Sequence, residues 1–365
     1  MSTHPDRRGL LRGVALAGAA ALAGCSGRSV SGGDVEAMVG GGDGPPGRAD
    51  EVHQPWDRAA VREATTDGGP DEDGIPSVDE PTFAAADAVD LADDEVVFGY
   101  AGETDVKAYT QRVLVWHEIA NDTLDGTPVA VSYCPLTGTA MGFERGDTTF
   151  GVSGRLVNNN LVMYDRATDS QWPQMLATAV DGSMAGEQLR EFGLTWTTWG
   201  RWREAHPDTE VLTEDTGYVK RYGADPYGNY NPTSGYYGGG RTLFPSLDGG
   251  WEATLEEPKR VVIGARTADR AVAFDEPALR AAGLLVADGD DGTDALLAAY
   301  DPALDTGWVY RPDGATVAPS DEGEGRVAVD GETHRAADLP LERVYAFDAM
   351  WHAWGGFYPE TAYVA

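Results

Sequence analysis

Residues 131–140 read VSYCPLTGTA, an alternating run that delivers one thiol, Cys134, into a proline-containing turn. The chain has two cysteines, and the other stands at position 25. A lone thiol at a strand end is either a small buried hydrophobe or a reactive or ligating group. As a nucleophile it needs a base, because a free thiol titrates near about 8.5. The base closest in sequence is His117, in Val115-Trp116-His117-Glu118, one short connection before the cysteine strand. If the two segments pair as neighbours, His117 reaches Cys134, and Glu118 or Asp122 orients the imidazole in a Cys-His-acid arrangement. The same thiolate and imidazole suit a soft metal, copper or zinc, with Met163 or His206 as a third ligand. The alternative for His117 is a structural histidine hydrogen-bonded in a hairpin. No HExxH, CxxC or paired-histidine spacing strengthens the metal reading.

A second polar group follows in Tyr164-Asp165-Arg166-Ala167-Thr168-Asp169-Ser170-Gln171-Trp172. Asp165 is the candidate acid of a pocket shaped by this run. Equally, Asp165 and Arg166 form a structural ion pair beside turn caps. The stretch from Tyr222 to Tyr237 carries Gly and Pro at its bends and reads as a surface loop, either a lid or an ordered structural cover. The chain has no P-loop or GxSxG, so P-loop nucleotide binding and serine-hydrolase chemistry are unsupported.

These groups require a scaffold of short strands. GTPVAVSYC, TAMGFER and TTFGVSGRL alternate or are β-branched between Gly, Asp and Asn turns, and Asn158-Asn159-Asn160 reads as a tight turn before LVMYD. Trp196, Trp199 and Trp202/Arg203 share a face at helical spacing before Pro207, as do Phe347, Trp351 and Trp354 before Pro359. Aromatic stripes at that spacing are core. Val96–Gly99 is echoed by Val261–Gly264, Tyr133-Cys134-Pro135 by Tyr300-Asp301-Pro302, and Trp199, Trp202, Pro207 and Thr209 by Trp351, Trp354, Pro359 and Thr361. The expected fold is α+β and β-rich, with two related, duplicated halves at residues 81–250 and 251–365. Each half is a small sheet closed by a Trp-bearing helix, the second half being shortened. Residues 26–80, dominated by Gly, Asp and Pro, are expected to be a disordered acidic tether.

Residues 1–25 read as an export signal. Arg7-Arg8 and a short apolar run give the twin-arginine pattern, and Leu22-Ala23-Gly24-Cys25 resembles a lipobox with Cys25 as the lipidated residue. A plain signal cleaved after small residues is the alternative. The apolar run is shorter than the ~20 residues a spanning helix needs, so the expected attachment is a lipid anchor on the outer face of the membrane. The chain carries 60 acidic against 27 basic residues, a net charge of −33. That charge excludes a nucleic-acid footprint and leaves the anchor as the sole membrane contact. It fits a salt-loving habitat, where a Debye length of ~3 Å at molar salt removes self-repulsion.

Several long stretches resemble the DUF3179 family, a domain of unknown function. They are KAYTQRVLVWHEIANDT, VSYCPLTGTA, FGVSGRLVNNNLVMYDRATDSQWPQM, TWGRWREAHPDTEVLTEDTGY, DPYGNYNPTSGYY and AMWHAWGGFYPET, spanning about residues 95–364. The family pattern includes a second cysteine three residues after the first. Thr137 stands there, so the resemblance implies neither a CxxC redox couple nor a two-thiolate metal site. The leading expectation is a lipid-anchored extracytoplasmic module binding a small ligand or soft metal near Cys134 and His117. The alternatives are a thiol-dependent enzyme using that pair with Asp165, and a purely structural surface protein.

Overall fold

Short β-branched and aromatic runs, broken by Gly, Asn and Asp, form twenty-six strands and five α-helices among residues 44–289 and 294–365, the residues described by a computed structural model. Helix α1 (Arg58–Glu63) is capped by the Asp57 carboxylate, which accepts from the Ala59 amide at 2.8 Å. Strands β1 (Thr66–Asp67) and β2 (Phe83–Ala85) follow. The next run is β3 (Val96–Ala101), β4 (Val106–Thr110), α2 (Gln111–His117), β5 (Ile119–Leu124), β6 (Thr127–Cys134) and β7 (Thr139–Glu144). Then come β8 (Phe150–Val157), β9 (Asn160–Asp165), β10 (Gln171–Pro173), β11 (Glu191–Phe192), β12 (Thr195–Thr198), α3 (Trp199–Ala205) and β13 (Glu210–Leu212).

A small hairpin, β14 (Gly228–Tyr230) and β15 (Thr233–Gly235), precedes the second run. That run is β16 (Val261–Arg266), β17 (Ala271–Asp275), α4 (Glu276–Ala282), β18 (Leu284–Ala287), β19 (Leu296–Asp301) and β20 (Thr306–Arg311). Three short strands, β21 (Val317–Pro319), β22 (Arg326–Val329) and β23 (Glu332–Arg335), form their own sheet. The chain closes with β24 (Glu342–Val344), β25 (Ala346–Met350), α5 (Trp351–Phe357) and β26 (Ala362–Val364).

The fold is α+β and β-rich, built of several small sheets and short helices that carry tryptophan. One sheet runs β12-β3-β4-β13-β2 and another β25-β16-β17-β26. In each, the first three strands are antiparallel and the fourth pairs parallel, β13 on β4 and β26 on β17, and β2 then adds antiparallel to β13 in the first sheet. Two further sheets run β11-β7-β6-β5 and β18-β19-β20-β24. A core cluster joins Cys134, Leu136 and Met141 from the earlier strands to Val262, Phe347, Trp351 and Trp354 from the later ones.

The tryptophan helices dock by close approach at glycine. Trp202 lies over Gly99 of β3, where any Cβ would overlap its ring, and its Nε1 donates to Thr209 Oγ1 at 3.0 Å. Trp354 lies over Gly264 of β16 in the same way and donates to Thr361 Oγ1 at 2.9 Å. Each indole thus buries its ring and satisfies its one donor.

Two expectations need correction. Trp196 and Phe347 are not helical: the helices begin at Trp199 and Trp351. The β-branched Thr195, Thr197 and Thr198 instead ladder onto Val96–Gly99. The second correction concerns the tether expected to reach residue 80, because residues 44–80 are built into the fold. Gly47 bridges Leu189, the His53 amide donates to Thr267 O at 2.7 Å, and Trp56 Nε1 donates to Phe357 O at 2.7 Å. Val52, Val61 and Val78 are buried. Long-range backbone pairing supplies what the sparse apolar residues of this segment do not. The expected signal, Cys25 included, lies outside the described residues.

Gly99→Ala and Gly264→Ala should each destabilise the fold by about 1–3 kcal/mol, because the Cβ must displace a packed indole. Chemical unfolding midpoints at constant salt check this. Unchanged midpoints would mean that the rings can move aside.

Candidate functional site

Cys134 is the last residue of β6 and pairs with Thr139 across the β6–β7 turn. That end of β6 is buried on both faces, and the thiol is 1% exposed. Its Sγ donates to Asn159 O at 3.7 Å. The turn is held from several sides. Tyr236 donates from its hydroxyl to Leu136 O at 2.7 Å, the Met350 amide donates to Thr137 O at 2.8 Å, and Asn160 Nδ2 donates to Thr137 Oγ1 at 3.2 Å. Asn158 and Asn159 form the anticipated tight turn, with φ of 54° and 62°. Asn159 Oδ1 accepts from the Leu243 and Phe244 amides, and Asn158 Nδ2 donates to Ala353 O at 2.7 Å. This one turn therefore fastens both the 243–247 loop and α5 over the cysteine.

The residue that faces the thiol electrostatically is Glu118. It ends α2 in a left-handed conformation, φ 58°, a region that costs a side-chain-bearing residue of order 1 kcal/mol or more. Helix α4 ends in the same geometry at Gly283, φ 77°. The surrounding hydrogen bonds correspond too: the Tyr133 amide donates to Glu118 O at 2.7 Å, and the Tyr300 amide to Gly283 O at 2.9 Å. Glu118 is 8% exposed, and among the described residues its carboxyl makes no hydrogen bond or ion pair. Burial alone pushes that carboxyl up to about 8. Burial first, then the neighbouring Glu118 charge, pushes the Cys134 thiol up to about 11. Both groups are neutral at pH 7.

Burial also disfavours the charged form of the groups around this pair. Burial raises the Tyr227 and Tyr236 phenols, with contributions from the Cys134 charge on both. Lys259 sits 3.1 Å from the Tyr236 ring centre, and burial lowers its ammonium to about 8. His352 of α5 is 0% exposed, neither ring nitrogen completes a hydrogen bond, and burial lowers its pKa to about 4. The site offers a thiol, a carboxyl, phenols and the Lys259 ammonium, mostly hydrogen-bond donors in a largely buried setting.

The expected partners of Cys134 lie elsewhere. His117 is fully buried, with Nδ1 2.6 Å from Pro76 O and Nε2 2.8 Å from the Tyr222 hydroxyl, so both nitrogens are taken. No hydrogen bond joins it to Cys134 among the described residues. Asp122 accepts from Lys107 Nζ at 2.8 Å and the Tyr109 hydroxyl at 2.6 Å. Asp165 is a buried turn-former. It accepts from the Thr168 amide at 2.7 Å, the Thr168 hydroxyl at 2.6 Å and Trp172 Nε1 at 3.0 Å. Arg166 pairs with Asp73 at 2.9 Å rather than with Asp165. Met163 is core, and His206 lies on the Trp202 ring. Among the described residues no group of three or more His, Cys, Asp or Glu side chains is placed to hold a metal ion.

Sequence reasoning gave Glu118 only a supporting role and missed His352. The signals were Glu118 against Gly283 at the ends of the two helices, and WHAW against WGRW in the tryptophan segments.

Fold and site together define a β-rich α+β protein with an enclosed thiol–carboxyl pair beneath a tyrosine-rich loop. The chain belongs to the DUF3179 family, described as a protein of unknown function, which matches residues 72–361. No curated protein and no solved structure matches the chain.

A maleimide should modify Cys134 in the folded chain at least about a hundredfold more slowly at pH 8 than a free thiol. The rate should keep rising tenfold per pH unit beyond 8.5, because the thiolate forms only near about 11. Peptide mapping of the labelled site checks this, and rapid labelling that levels off at pH 8.5 would contradict the enclosed site.

Proposed function

We propose that this chain is a lipid-anchored extracytoplasmic module that holds a small uncharged ligand against Cys134 and Glu118, covered by the tyrosine-rich loop. The observation that carries this reading is Glu118 itself. A carboxyl that is buried, unpartnered and set on left-handed backbone destabilises the fold in three ways at once. The corresponding helix end uses glycine and avoids all three. Such a residue is retained for a site, not for stability. Binding is favoured over thiolate chemistry because the thiol stays protonated and no imidazole serves it. The donors present call for a ligand that offers acceptors, carbonyl or ether oxygens among them.

The anchor is part of the proposal and rests on Arg7-Arg8 and the Leu22–Cys25 segment. No described helix is long and apolar enough to cross a membrane. The charge of −33 supports a high-salt setting. We further infer that the two runs of strands descend from one duplicated unit. Matching sheet orders, the paired Gly–Trp–Thr contacts, and Glu118 against Gly283 support that reading.

One observation favours a second reading, a thiol-dependent enzyme. The charge of Glu118, which titrates near about 8, acts on the thiol, and the carboxylate formed above that pH is a base for it.

Native mass spectrometry of the exported protein tests the proposal. A bound mass is expected on the wild type and absent from Cys134→Ser and Glu118→Gly. Glu118→Gly should at the same time be more stable by about 1 kcal/mol, through relief of left-handed strain. A bare chain in the wild type, or a less stable Glu118→Gly, would count against the site. A covalent adduct on Cys134 would move the assignment to the enzyme.

A further inference from the structure

One cavity lies away from Cys134. It is a cleft of about 1000 Å³ between the β12–α3 segment on one side and β19, β20 and β24–β25 on the other. Three arginines line it in a chain that is overwhelmingly acidic. Two are committed: Arg201 donates to Pro302 O at 2.5 Å, and Arg335 lies 3.7 Å from Asp338. The third, Arg343, has no ion pair and no hydrogen bond among the described residues. Its guanidinium stacks on Trp308, 3.6 Å from the ring centre, with Tyr310 at 5.9 Å.

Stacking uses the face of a guanidinium and leaves its five N–H donors free along the edge. The stack also fixes the orientation of the group, so little rotamer freedom remains to be lost on binding. Trp308 is itself held, donating from Nε1 to Asp301 Oδ2 at 3.3 Å. Arg343 is therefore a pre-oriented, uncommitted fork in a cleft. Its natural complement is a planar oxyanion bound through two parallel hydrogen bonds.

We propose that this cleft binds an organic monocarboxylate, with Arg343 taking the carboxylate. A doubly charged anion is disfavoured, because Asp301 and Asp338 line the same cleft and the whole chain is strongly negative. Leu194, Ile263 and Phe347 give the cleft an apolar stretch for the body of the acid. Asp348, elsewhere in the lining, is pushed by burial up to about 8 and so presents a neutral carboxyl to a polar tail. This site is independent of the pair at Cys134.

Titration calorimetry on the full chain tests it, with benzoate, hexanoate and gluconate as probes, at the lowest salt that keeps the chain folded. At least one carboxylate should bind, its neutral amide should bind at least tenfold more weakly, and inorganic phosphate should not compete. Arg343→Gln should weaken the carboxylate at least tenfold. Arg343→Lys, which keeps the charge but loses the planar fork, should fall between Arg343→Gln and the wild type. Arg335→Gln should change binding less than twofold. Unfolding midpoints of the variants confirm that each is folded, and the Arg343→Lys series still decides the matter if Arg343→Gln is not. No binding by any probe, equal binding of acid and amide, preference for phosphate, or insensitivity to Arg343 would each overturn the assignment.

Discussion

The buried ion pair between Arg266 and Glu191 is the constraint on which the assembly of this fold depends. The two side chains are 1% and 2% exposed. Arg266 also donates to Met175 O at 2.9 Å, Leu176 O at 3.2 Å and the Tyr358 hydroxyl at 2.9 Å. Glu191 accepts from Arg48 at 2.8 Å. Burial raises the Glu191 carboxyl while Arg266 and Arg48 pull it back; burial also opposes the Arg266 charge, which Glu191 restores. A buried pair adds little net stability over an apolar replacement, yet losing one partner costs about 3–5 kcal/mol. This pair fastens residue 48, the segment after β10, β11, β16 and the end of α5 to a single point.

That fixed junction explains how a cysteine turn from one set of strands comes to be covered by residues from another. With β16 and α5 locked in place, Met350 caps Thr137, His352 packs behind Leu136, and the Lys259 and Tyr236 pair closes from the side. Burial raises both the Cys134 thiol and the Glu118 carboxyl. Glu118 is the exception to local economy. At the end of α2 the chain needs a left-handed residue, and glycine supplies it at the corresponding end of α4. A glutamate stands there instead, and among the described residues its carboxyl makes no hydrogen bond or ion pair.

Much of the scaffold was legible in sequence. The Asn158–Asn160 turn, the strand ending at Cys134 and the tryptophan cores follow from turn chemistry, period-two alternation and aromatic spacing. The close docking of Trp202 on Gly99 and Trp354 on Gly264 lies in residues already paired by the echo of one run in the other. What was not legible depended on distant contacts. Residues 44–80 carry too few apolar groups to look folded, and partners more than a hundred positions away order them. His117 stands next to Glu118 in sequence, but the end of the helix divides them. The imidazole bonds to Pro76 O and the Tyr222 hydroxyl, while the charge that acts on the thiol is that of Glu118. Glu118 is left-handed, and side-chain identity alone does not reveal backbone handedness.

The most direct measurement is infrared difference spectroscopy of the carboxyl stretch, comparing wild type with Glu118→Gln across pH. A protonated carboxyl band that the variant lacks is expected at pH 7, disappearing as pH rises through about 8. Loss of that band near the ordinary glutamate value would place Glu118 in water, and the enclosed thiol–carboxyl pair would not exist.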